Sequence, residues 1–253
     1  MLDISRLSTA YLERALPLLV DITDLVQGAP AAGAIVRDAV EAAGPDPRRR
    51  ALALALASEL GFGIPGERRA AAIEAIGCAE AVGPAAASAL HRALINLAAI
   101  KVCAAEGLDA GLLDRAAGLE SDLPGLRLYG AADLHRGLWS RFVEDLDTAR
   151  AALQRSIARA REAGDDLLLC TFLSYLAATE QLAGDNAAAA AALDAAAAWH
   201  DWPPSPWVLG PRCELLIQPA TWIACCASPT STCPKIIPFR SPCATAGPTC
   251  GGS

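Results

Sequence analysis

Catalysis needs nucleophiles, acid–base groups or metal ligands at workable spacings, and this 253-residue chain offers few. Its histidines, His91, His135 and His200, are far apart, and none starts an H-E-x-x-H pair or has an acid four residues on. They read as partly exposed or capping histidines. Cys225, Cys226, Cys233 and Cys243 suggest a thiolate cluster, but adjacent cysteines lack the C-x-x-C spacing that brings two sulfurs to one tetrahedral zinc. Cys78, Cys103 and Cys170 read as small core fillers on helical segments. No serine sits in a G-x-S-x-G elbow. The only lysines, Lys101 and Lys235, lack the preceding glycines of a phosphate loop. No catalytic residue, metal site or cofactor site is expected.

Two pairs of carboxylates remain, Glu144-Asp145 and Asp165-Asp166. Both fall at expected helix starts, where acids satisfy free backbone N–H groups and the positive end of the helix dipole. Capping accounts for them better than acid–base catalysis. The aromatic residues Trp139, Phe142, Phe172, Tyr175, Trp199 and Trp202 gather in one region. In helical arrays such side chains fill the core between repeats. The functional alternative is a peptide or ligand groove contacted by Arg136, Arg141 and Tyr175, and one sequence does not separate the two.

The elements that would position these residues are helices. The chain is 53% hydrophobic but only 5% aromatic, and 57 residues are alanine, the best helix former because it loses no side-chain entropy. Breakers such as Gly28-Ala29-Pro30, Gly44-Pro45, Gly83-Pro84, Gly164-Asp165 and Gly184-Asp185 leave segments of helical length between them. Leu12, Ala15, Leu16, Leu19 and Ile22 follow helical spacing, as do Ile73, Ile76 and Ala79, and Leu90, Leu94, Leu97 and Ala98. Leu52, Leu54 and Leu56 alternate with alanine as in a strand, but alanine is depleted in strands, so this segment reads as a buried helix.

Charge and hydropathy exclude other classes. A net charge of -7 argues against tracking a phosphate backbone, which needs clustered Lys and Arg. Apolar runs are interrupted by charge, so no membrane span is expected, and the N-terminus lacks the layout of a signal peptide. The expected location is the cytoplasm.

Successive helices pair over about 6–43, 47–83, 86–120, 131–163 and 167–200, a period of helical-hairpin arrays. A shift of 40 superposes Gly137 on Ala177, Asp145 on Asp185, Ala149 on Ala189 and Leu153 on Leu193. Small residues thus recur where two helices of a pair approach closely. The expected fold is all-α, a superhelix of about five antiparallel hairpins over residues 1–202, with neighbours stacked into a continuous core.

The phrases Glu144 to Leu153, Arg159 to Asp166 and Gln181 to Asn186 look like tetratricopeptide-type hairpins. With Ala105 to Asp109 and Leu112 to Ala116, they resemble the helical-repeat region of LuxR-type, MalT-like ATP-binding transcriptional regulators of GC-rich bacteria, over about residues 47–217. In that family a P-loop module precedes the repeats and a helix-turn-helix DNA reader follows. This chain has neither motif. The resemblance therefore implies a sensor or protein-interaction segment that binds a protein or small effector, with no ATP hydrolysis or DNA reading of its own. The alternative is a free-standing adaptor or scaffold unrelated to transcription.

Beyond residue 202 the composition changes. Ten prolines and six of the nine cysteines lie there, with Glu214 the only acid. Prolines forbid a long helix after about residue 219. Residues 203–217 read as the possible start of a further hairpin, and 218–253 as a tail that is disordered or translated in a shifted frame. Back-translation of Gln218 to Ala227 with GC-rich codons, read from the third base of the first, gives Ala-Gly-Asp-Leu-Asp-Arg-Leu-Leu-Arg. That peptide echoes Ala183-Gly184-Asp185 and falls where the next hairpin turn is due.

Overall fold

The computed structural model describes residues 8–59 and 65–197, and all regular structure among them is helical. The helices are α1 (Thr9–Gln27), α2 (Ala29–Ala43), α3 (Pro47–Ala57), α4 (Pro65–Val82), α5 (Ala87–Cys103), α6 (Ala110–Leu119), α7 (Ala132–Phe142), α8 (Leu146–Ala163), α9 (Asp166–Leu182) and α10 (Asn186–Ala197). Short 3-10 turns lie at Gly83–Ala86, Glu120–Asp122 and Leu128–Gly130. The expectations for 203–217 and 218–253, and for Trp199, His200 and Trp202, lie outside the described residues.

Helix starts follow side-chain capping. Ser8 caps α1, Asp46 caps α3, Asp109 caps α6, Asp145 caps α8 and Asp165 caps α9, each accepting from a backbone N–H two or three residues on. Asp185 does the same for Ala188 at 2.8 Å. The last three recur at 20-residue intervals and also end the helix before. The Asp145 N–H donates to the Ser140 carbonyl, Asp165 to Ala160 and Asp185 to Glu180, at 2.9–3.0 Å. Each bond closes over a left-handed residue, Glu144, Gly164 or Gly184.

Each helix packs against its neighbours in sequence, and α3 also meets α1 and α5, while α5 meets α7. Apolar clusters follow one another along the chain. The first joins α1, α2 and α3; later ones join α3, α4 and α5, then α5, α6 and α7, then α7 to α10. The alternating segment is indeed a helix, and Ala51 to Leu56 are all buried. Leu52, Ala53 and Leu56 face α1 and α2, whereas Ala51, Leu54 and Ala55 face α4 and α5. A helix sandwiched on both sides carries no polar stripe.

Other faces differ from the periodic reading. In α1 the buried row is Leu12, Leu16 and Val20, and Ile22 is exposed with Tyr11, Leu18 and Val26. In α4 the buried row is Ala72, Ala75 and Ala79, and Ile73 is exposed. The α4 contact face thus follows the alanines, which let two backbones approach, whereas α1 buries Leu12, Leu16 and Val20 and turns Ile22 outward. Gly66–Cys103 is apolar and long enough by composition to cross a membrane, contrary to the sequence expectation. Its apolarity is largely alanine, and the Gly83–Ala86 turn divides it into α4 and α5, which pack on each other and on α3.

The relationship found by shifting 40 residues recurs in three dimensions. Gly137 of α7 is buried against Leu153 and Ala149 of α8. Ala177 of α9 clusters with Leu193 and Ala189 of α10.

Candidate functional site

Arginines occupy two kinds of position. Among the described residues, seven half-buried ones grip a carboxylate from another helix or its end: Arg48 with Glu13, Arg50 with Glu74, Arg69 with Glu106, Arg92 with Glu59, Arg136 with Asp114, Arg150 with Glu180 and Arg159 with Glu120. Arg49 and Arg68 have interactions of their own. The exposed Arg115 and Arg155 pair with Glu80 and Asp133. These pairs stitch together helices one or two apart in the chain, which is a structural task. Exposed pairs contribute little, but Glu180 is buried and takes a two-pronged contact from Arg150, 2.7 Å at each oxygen.

Arg141 is the exception. It lies half-buried at the end of α7, and no carboxylate pairs with it among the described residues. Its guanidinium lies 5.4 Å from the centroid of the Phe142 ring, a cation–π distance. Phe142 in turn tilts against Trp139 at 5.6 Å between centroids. Tyr175 of α9 lies within electrostatic reach of Arg141 and of Tyr129 from the 3-10 turn before α7. Desolvation lowers the Arg141 pKa, opposed by Tyr175. Burial raises the Tyr175 pKa, helped by Tyr129, so this phenol stays neutral and leaves the Arg141 charge uncompensated. Tyr129 and Phe142 are exposed, while the Trp139 indole N–H is shielded from water with no partner.

Of the three sequence candidates, Arg141 and Tyr175 come together and Arg136 does not join them. Arg136 is held by Asp114 of α6 at 2.7 Å. The expectation that the aromatics fill the core holds for Phe172, which is fully buried, and fails for Phe142, which is 53% exposed. Phe142 is the last residue of α7 and extends past the interhelical contact.

A second polar group lies where α5, α7 and α8 converge. Here the reading of His91 as exposed or capping is corrected, because the imidazole is buried. Its Nε2 stands 3.6 Å from Glu120 Oε1, too far for a hydrogen bond. Glu120 accepts from the Ala132 N–H at 2.6 Å and from Arg159 at 3.1 Å. Burial alone would raise its pKa, but His91, Ala132 and Arg159 together outweigh that and hold it at about 2. His135 has a shielded Nδ1 without a partner, and burial, aided by nearby His91, pushes its pKa down to about 4. Sequence spacing gave no sign of this junction, because its members come from four separate segments.

Asp145 and Asp165 act as helix caps, as expected. Cys170 is buried, while Cys78 and Cys103 are only half-buried. A cleft of about 280 Å³ lies between α2, α3 and α4, with Arg37 and Arg68 balanced by Glu41 and Glu67 in its lining. Its mixed charge selects no ligand. No group of three metal-ligating side chains occurs among the described residues. No family model, curated protein or solved structure matches the chain significantly.

Proposed function

We propose that residues 1–202 are a helical-repeat binding segment, a tetratricopeptide-like superhelix of about five antiparallel hairpins that acts by binding a partner or effector without catalysis. The observation that carries this reading is the recurrence of one contact set: Gly137 with Ala149 and Leu153, then Ala177 with Ala189 and Leu193. Units repeated this way cannot bury their apolar stripes alone, and stacking supplies the missing contacts. The exposed row of Tyr11, Leu18, Ile22 and Val26 on α1 agrees with that principle, since an array covers such a face with a further helix.

Within this reading, the turn phrases favour the sensor region of a LuxR-type ATP-binding transcriptional regulator. The deciding experiment is to sequence the DNA on both sides of the coding region. Upstream codons for a P-loop module and downstream codons for a helix-turn-helix, in the frame that also yields Ala-Gly-Asp-Leu after residue 217, are the expected result. Unrelated reading frames on both sides would instead leave a free-standing adaptor.

A further inference from the structure

Arg141 departs from the seven half-buried arginines that each grip a carboxylate. A guanidinium drawn partly out of water is stabilised by a carboxylate or by a ligand. Here α7 and α9 surround it with rings and phenols: Phe142 beneath, Trp139 beside Phe142, and the Tyr175–Tyr129 pair within its field. Arginine, tyrosine and tryptophan together are the residue types that concentrate binding energy at recognition sites.

We propose that Arg141, with the hydroxyls of Tyr175 and Tyr129, receives the carboxylate of a small monoanionic ligand whose apolar body lies on Phe142 and Trp139. This assignment rests on the reading of the chain as a binding segment and names what that segment recognises. Charge matching selects the class. One guanidinium balances one carboxylate, whereas a phosphate dianion would leave an excess negative charge on a protein already at -7. Planar carboxylates also fit the guanidinium fork with two parallel hydrogen bonds. The free face of the site is wet at Tyr129 and Phe142, which gives a ligand access.

The test uses the full chain and fluorine NMR of 4-fluorobenzoate, with 4-fluorobenzyl alcohol as the uncharged analogue. Line broadening by the carboxylate and not by the alcohol is expected. Arg141→Met should weaken binding at least about tenfold, since a hydrogen-bonded charged pair is worth about 1.5–3 kcal/mol. Tyr175→Phe should weaken it by a smaller factor, and the exposed Arg161→Met should leave it unchanged. A short peptide ending in phenylalanine, with its terminus free or amidated, distinguishes a chain terminus from a free small acid as the source of the carboxylate. Tighter binding of the free-ended peptide than of 4-fluorobenzoate would overturn the small-ligand assignment. Displacement by millimolar inorganic phosphate, equal broadening by the alcohol, or binding that survives Arg141→Met would overturn the carboxylate site. The circular dichroism of each variant confirms that its helices are intact. None of these failures touches the repeat architecture on which the binding-segment reading stands, which small-angle scattering tests by itself, so the ligand class and that reading fail separately.

Discussion

A Cβ placed on Gly137 would stand 2.7 Å from Cγ of Leu153 and 3.3 Å from the Ala149 carbonyl. Helices α7 and α8 therefore approach at a point that only glycine fits without movement. Gly137→Ala should destabilise the protein by about 1–3 kcal/mol, the usual penalty for overpacking a well-filled core. Adding Leu153→Ala should recover part of that loss by making room. Urea unfolding of the two single variants and the double variant measures the coupling, and simple additivity would contradict the close approach.

Glu144 occupies the left-handed position that Gly164 and Gly184 fill in the following turns, with φ of 62°. A side chain there is strained by about 1–2 kcal/mol, part of which glycine returns as unfolded-state entropy. Glu144→Gly should thus stabilise by about 0.5–1 kcal/mol, and Gly164→Ala should destabilise by about 1 kcal/mol. Thermal melts with opposite shifts are the expected result.

Removing Arg150 leaves the Glu180 carboxylate buried and unpaired. Arg150→Ala should therefore destabilise by about 3 kcal/mol. Arg155→Ala, at an exposed pair with Asp133, should change stability by less than about 1 kcal/mol. Similar losses at both sites would show that Glu180 is not shielded as described.

Acid should unfold the protein in two stages. In the unfolded chain a histidine binds its proton near pH 6.5, whereas His135 in the fold does so only near 4. The unfolded state takes up that proton first, so stability is full above pH 6.5 and falls between 6.5 and 4, by about 3 kcal/mol at most. Glu120 then acts from the other side. Its folded pKa of about 2 lies below the ordinary 4.5, so its contribution is present above 4.5 and is lost as pH falls towards 2. His135→Phe should abolish the upper stage and retain the lower one, as read by urea midpoints across pH. An NMR titration of His135 near pH 6.5 in the folded protein would contradict the burial.

Local signals in the sequence were readable because their physics is local. Asp145 and Asp165 announced helix starts through capping, and the shift of 40 found Gly137 and Leu153 because identical turns repeat identical packing. Apolar spacing alone does not mark the buried faces of α1 and α4: Ile22 and Ile73 point outward, while Leu12, Leu16 and Val20 make the contacts in α1 and alanines make them in α4. Arg136 and Arg141 looked alike in the sequence. Only the fold shows that Asp114 occupies the first, while the second faces rings and phenols. Glu120 gave no signal at all, because its partners come from α5, α7 and α8.

Small-angle scattering tests the repeat account most directly, since an array contacts only its neighbours and grows in one direction. For the chain ended at residue 202, a compact domain would have a radius of gyration of about 17 Å. The account predicts a value clearly above that, with a pair-distance distribution skewed to long distances. A symmetric distribution with a radius near 17 Å would contradict it.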